Sequence, residues 1–134
     1  MQRDNWVAVK RAADIYRFAG NIDPAWRLDA VKALSSHGLW SLAHIVAITG
    51  VSMHDVRRTV SKSDHSGGRF NPTTLQLILE EFELAQVGQD NPMLTAQIVR
   101  EGTSVGMLAK LLDQPITRVR TRALRGATEG GAHG

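Results

Sequence analysis

Apolar residues recur along this chain at steps of three and four, the period of a helix that buries one face. Trp6, Val9, Ala13, Tyr16 and Ala19 form the first such stripe, which follows Asp4 and stops at Gly20. Asp23-Pro24 opens a second one, carrying Trp26, Ala30, Ala33 and Leu34 up to Gly38. An Asx residue can cap the free N–H groups of a helix start, and proline at the first helical position loses no hydrogen bond there. The same opening recurs at Asn71-Pro72, before Leu75, Ile78, Leu79 and Phe82, and at Asn91-Pro92, before Leu94, Ile98, Val99 and the stop at Gly102. No segment alternates with period two for long enough to predict a strand. The expected fold class is therefore all-α, a multi-helix domain.

Between the second and third stripes lies Leu42–Val60, LAHIVAITGVSMHDVRRTV. Leu42 and Ile45 are phased to face a core, Gly50 stands where a tight corner needs positive φ, and Val51 follows as an apolar plug. Ser52 and Asp55 have capping-box spacing for the next helix. With Met53, Val56 and Val60 turned inward, His54, Arg58, Ser61 and Lys62 fall on the outer face and Arg57 on its flank. Spacing and chemistry together resemble the helix-turn-helix signature, with one departure: Val46 stands where that motif usually carries alanine. The resemblance implies that the second helix enters the major groove, where Ser52, His54, Arg57, Arg58, Ser61 and Lys62 would meet phosphates and base edges.

Residues 105–124, VGMLAKLLDQPITRVRTRAL, can be laid on this motif with a constant offset of 63, Leu108 on Ile45, Ala109 on Val46, Val119 on Val56 and Ala123 on Val60. Asp113 takes the place of the turn glycine, Gln114 that of the apolar plug, and Pro115 starts the last helix. Ile116, Val119 and Ala123 are expected to face inward. Thr117, Arg118, Thr121 and Arg125 are expected to face outward, with Arg120 and Arg122 along the flanks. The segment is similar to the second half of the DNA-binding region of bacterial sigma factors, in which an LA pair, a short turn and a proline lead into a basic helix. A second resemblance, over roughly residues 22–82, is to small helix-turn-helix proteins of actinobacterial phages. It is carried by Gly50, Val51, Ser52, Lys62, Asp64, Gly67, Gly68, Arg69, Asn71 and Pro72, and it implies DNA binding without specifying a mechanism.

The resulting organisation is an imperfect trihelical repeat. It comprises an N-terminal helix in 1–21, a first unit over 22–70, a connecting helix in 71–89, a second unit over 90–126 and a disordered tail over 127–134. The two extra helices would pack the units together. The linker SKSDHSGGRFNP reads as a mobile loop, and as an arm along DNA it would contribute Arg69.

Charge sharpens the picture through its distribution. The net charge is only +3, yet residues 71–102 hold one base against five acids while residues 103–134 hold five bases against two acids. Two basic segments, around Arg57 and Arg118, flank an acidic one containing Glu80, Glu81 and Glu83, which suits a polyanionic partner. The 134 residues, 43% hydrophobic and 22% charged, suffice for one core and are too few for an ordinary two-domain enzyme. With no cysteine there is neither a disulfide framework nor a thiolate metal site.

Ser63, Asp64 and His65 are adjacent in a loop, which is not triad geometry. The stretch HSGGR lacks the Gly-Lys-Ser/Thr ending of a phosphate-binding loop. His37 and His44 have no further ligand at metal spacing. Catalysis, metals and cofactors are accordingly not expected. No apolar run approaches membrane-spanning length, and the first residues lack the apolar core of a secretory signal, so the expected location is the bacterial cytoplasm, at the nucleoid.

The expected function is sequence-specific binding of double-stranded DNA by a transcriptional regulator or phage repressor. The alternative is a phage DNA-packaging protein of small-terminase type, or an architectural DNA-binding adaptor. A second copy of the chain is a candidate partner, and a membrane is not.

Overall fold

A computed structural model describes residues 2–21, 23–60 and 68–131, and every regular element in them is helical. In chain order these are α1 (Gln2–Phe18), α2 (Pro24–Ser35), α3 (Leu42–Thr49), α4 (Met53–Thr59), α5 (Leu75–Gln86), α6 (Pro92–Arg100), α7 (Val105–Leu112) and α8 (Ile116–Gly131). Short 3-10 turns at Ala19–Asn21 and Pro72–Thr74 extend α1 and lead into α5. The all-α expectation holds.

The Asx-Pro starts act as their chemistry requires. Asp23 accepts a hydrogen bond from the Ala25 N–H at 2.8 Å, Asn71 from Thr73 at 3.1 Å and Asn91 from Leu94 at 3.2 Å. Each satisfies a donor that the first helical turn leaves without a carbonyl.

α1 lies at the centre. It packs on α5 and also touches α2, α3 and α7, so it contacts both halves of the chain. Its buried face is Ala8, Val9, Ala12, Ala13 and Ile15. Of the predicted stripe, Val9 and Ala13 are in the core, Trp6 is half-buried, and Tyr16, in the last turn, is exposed. Small residues on this face let neighbours approach from several sides. The core runs on through Leu34, Trp40, Ile45, Ile48, Leu75, Ile78, Ile98, Leu108, Leu111 and Val119 as one cluster.

On one side of α1 and α5, helices α2, α3 and α4 all touch one another. On the other side α6 and α8 form the most extensive helix pairing of the structure, with α7 against α8. Gly126 explains how closely α6 and α8 approach: a Cβ there would collide with the Pro92 carbonyl and lie 2.8 Å from the Met93 nitrogen. α8 continues to Gly131, so residues 127–131 are helical rather than a tail. The support of α6 overrides the poor helix propensity of glycine.

Candidate nucleic-acid interface

The two helix pairs agree to the residue in both ends of the first helix and in the start of the second. α3 spans 42–49 and α7 spans 105–112, while α4 begins at 53 and α8 at 116, all related by the offset of 63. Their caps correspond too. Ser41 accepts from the His44 N–H at 3.2 Å and Ser104 from the Met107 N–H at 3.1 Å. The helices end at Gly50, with φ 76°, and at Asp113, with φ 55°, both left-handed. Gly50 thus occupies the predicted corner, and aspartate serves the same corner in the second pair.

Val51 plugs the first corner and is buried, and Val56 is fully buried beneath it. Met53 and Val60 are half-buried against the core. Val46 is likewise half-buried, whereas its counterpart Ala109 is 5% exposed, so the larger side chain is accommodated at the edge of the corner. The outer face of α4 presents His54, Arg57 and Arg58 to solvent, with Ser52 exposed at the cap. Only half of the predicted capping box forms. Ser52 accepts from the Asp55 N–H at 3.1 Å, but the Asp55 carboxylate lies 3.8 Å from Arg58. α4 ends at Thr59, and Val60 is extended with φ −128° and ψ 131°. Ser61 and Lys62, expected on the same face, lie outside the described residues, as do Asp64 and Gly67.

A complete capping box lies one helix earlier, between Ser41 and His44. His44 Nδ1 accepts from the Ser41 N–H at 3.2 Å, so its Nε2 proton is donated to the Gly68 carbonyl at 2.8 Å. Trp40 and Phe70 pack around the imidazole, with the Phe70 ring 5.3 Å away. Beyond Gly68 the backbone reaches the second pair. The Arg69 carbonyl accepts from the Ser104 N–H at 2.8 Å, and the Asn71 N–H donates to Thr103 Oγ1 at 3.0 Å. The stretch 68–71 of the expected mobile loop is thus tied between α3 and the start of α7, with the Arg69 side chain exposed, while residues 61–67 lie outside the described residues.

A groove of about 400 Å³ runs beside α8, lined by Pro115, Thr117, Arg118, Thr121, Arg122 and Arg125 together with Asp90. Arg118 and Arg125 are seven residues apart and so lie on one side of the helix. Arg120 projects to the other side, over an apolar hollow between Val99, Val105 and Leu124. Arginine commonly lays its aliphatic stem on such a surface and keeps its charge in water.

Two expectations for α8 fail. Ile116 is 43% exposed, its side chain reaching the Gly106 edge of α7. Arg122, assigned to the DNA-facing flank, is only 6% exposed. With Val119, Ala123 and Gly126 it forms the i, i+3, i+4, i+7 face that packs inward. Its Nη2 donates to Glu81 Oε2 at 3.0 Å and Gln114 Oε1 at 2.9 Å, and its Nε donates to Thr95 Oγ1 at 2.9 Å. Thr95 in turn hydrogen-bonds Glu81. Burial pushes the Glu81 carboxyl above the usual glutamate range, opposed by its hydrogen bond from Thr95 and by the charge of Arg122. These groups fix α8 on α5 and α6. Only the pattern at 119, 122, 123 and 126 hinted at Arg122's burial; nothing in the sequence pointed to Glu81 as its partner.

No group of three or more metal-ligating side chains gathers among the described residues, and no helix there is long and apolar enough to cross a membrane. No protein-family model, curated protein or solved structure matches the chain.

Proposed function

We propose that this protein binds double-stranded DNA in a sequence-specific manner and acts as a transcriptional regulator, of the host or of a phage. The observation that carries this reading is the pair of two-helix corners with equal first-helix lengths, equivalent serine caps and left-handed corner residues. In each, the second helix turns exposed donors outward: His54, Arg57 and Arg58 on α4, and Thr117, Arg118, Arg120, Thr121 and Arg125 on α8. Arginine can pair with guanine O6 and N7, and exposed arginine and threonine also suit phosphate oxygens. Ser52 caps its helix at the place where a DNA backbone would approach, and Arg69 is exposed on the strand of chain that links the two corners. Arg122 is not part of the proposed surface.

The experiment that tests this is selection of bound sites from a pool of random duplexes. Enrichment of a consensus is expected. A salt-sensitive pool without consensus would replace the regulator with an architectural binder, and no retention of duplex at low salt would overturn DNA binding altogether.

A further inference from the structure

A further hollow among the described residues lies on the helices that precede both corners. It is a groove of about 510 Å³ between the outer faces of α1 and α2, with Ala30 and Ala33 along α2 and Trp6 beside them. Its edges expose large apolar side chains: Phe18 is 51% exposed, Trp26 49% and Val7 37%. An apolar face of this kind, edged by charges, marks an interaction surface.

The order of residues along α1 says what fits it. Val7 and Phe18 are equally far from the midpoint between residues 12 and 13, and so are Arg11 and Asp14. Two copies of α1 laid antiparallel about a two-fold axis at that midpoint would set Val7 against Phe18 of the other copy, and Arg11 against Asp14. Apolar ends meet apolar ends and bases meet acids, the self-complementarity that a two-fold interface requires. The charges are available for this. Arg11 meets no carboxylate among the described residues, its Nη1 lying 3.1 Å from His37 Nε2. Burial and the neighbouring Arg11 charge both lower the His37 pKa, so the imidazole is a neutral neighbour. Asp14 holds Lys10 through Oδ1 at 2.9 Å, leaving Oδ2 to receive a second base.

We propose that the α1–α2 groove is a homodimer interface, occupied by α1 of a second copy of this chain in antiparallel orientation. Self-association through this face does not require DNA. The full chain is therefore studied alone, by sedimentation equilibrium between about 1 and 100 µM, a range that brackets micromolar association. A monomer–dimer equilibrium is expected for the parent protein. Phe18→Glu, at a half-exposed side chain, should weaken it at least tenfold with the helical circular dichroism unchanged. Arg11→Asp and Asp14→Arg should each weaken it, and the two together should restore it, because the antiparallel partners are then exchanged. Leu124→Glu, at an exposed position on α8, should leave it unaltered. A parent protein that stays monomeric overturns the proposal, and so does a dimer that survives Phe18→Glu. Dissociation by Leu124→Glu, or a double variant no better than its single parents, would likewise refute it.

Discussion

In the first helix pair the residue that plugs the corner is Val51, and one position short of Val60 stands Thr59, whose hydroxyl donates to the Asp55 carbonyl of its own helix. At the matching places of the second pair stand Gln114 and Arg122, hydrogen-bonded to each other and, through Arg122, to Glu81. The atypical glutamine in the second turn thus has a structural reason: it accepts from a buried guanidinium. The second helices differ accordingly. α4 has 7 residues and keeps both of its arginines in water, while α8 has 16, is clamped along α6, and places one of its four arginines inside the core. One corner motif therefore yields a short, lightly held helix in one half and a long, firmly anchored one in the other.

The largest effect expected from this difference is on stability. Arg122→Met removes one partner of a buried ion pair and leaves Glu81 without its countercharge, which should cost about 3–5 kcal/mol, whereas Arg58→Ala, with an exposed ion pair at most, should shift stability by no more than about 0.5 kcal/mol. Denaturant melts of the two variants compare the halves directly, and equal midpoints would show that the Glu81 cluster does not hold α8. The pH dependence has a definite sign. Because the folded Glu81 binds its proton more tightly than the unfolded chain does, its contribution favours the folded state at low pH and is lost as pH rises through the raised pKa. Glu81→Gln should remove that component of the pH profile between the ordinary glutamate value and the raised one.

Next in size is the helix crossing. Gly126→Ala must force α6 and α8 apart, since the new Cβ meets backbone atoms of Pro92 and Met93 that have no freedom to move aside. A loss of about 1–3 kcal/mol is expected, the usual range for overpacking and here toward its upper end. Thermal unfolding measures it; an alanine variant that melts with the parent protein would mean that the α6–α8 contact is looser than described.

What was legible in the sequence is what neighbouring residues decide among themselves. Asp23, Asn71 and Asn91 cap their helices because the acceptor and the orphan N–H are two or three residues apart. Gly50 ends α3 because only the local φ matters there. The offset of 63 was readable because it is a repeat of such local signals. What was hidden depends on distant partners. Arg122 looked like one basic residue among four until Glu81, 41 residues earlier, was brought against it. Residues 127–131 looked like a tail because their glycines disfavour helix, and α6 is what supports the helix that runs into them. Ser41-x-x-His44 has capping-box spacing, but the third position of such a box usually carries Glu or Gln, and the second nitrogen of His44 goes to a carbonyl 24 residues away. Both of α1's faces are partly apolar, so the stripe through Trp6 and Tyr16 could not reveal which of them the core would take.

If both halves meet one duplex, about 20 base pairs should be protected, and the contrast between α4 and α8 should appear in how each loss is distributed over sequences. Arg58→Ala should weaken binding to the selected site by about 1–3 kcal/mol and relax preference at one base position. Arg118 shares a groove with Arg122, Arg125, two threonines and one acid, Asp90, a net positive setting suited to a phosphate. Arg118→Ala should instead weaken binding to all duplexes alike and lower the salt slope by about one unit. Titrations of labelled duplex at several salt concentrations separate the two patterns. Unchanged affinity in Arg118→Ala would leave α8 a structural helix and α4 the sole reader.

The smallest expected effect tests the corners themselves, where the two halves solve one backbone problem with different residues. A Cβ at Gly50 would have nothing within 4 Å, so any substitution there acts through the left-handed backbone alone. Asp113 accepts the same conformation at φ 55°, and aspartate is among the few residues that visit it. Exchanging the residues should therefore move stability in opposite directions. Gly50→Asp should lose, and Asp113→Gly gain, about 0.5 kcal/mol each, because the strain relieved or imposed is partly offset by the larger unfolded-state entropy of glycine. Gly50→Val should lose about 1 kcal/mol or more, since a β-branched side chain tolerates positive φ worst. Chemical denaturation of the three variants resolves these differences if the denaturant slope is unchanged. Should Asp113→Gly destabilise the protein instead, the aspartate side chain contributes to the second corner through a contact of its own, and the two turns are less alike than their dihedral angles suggest.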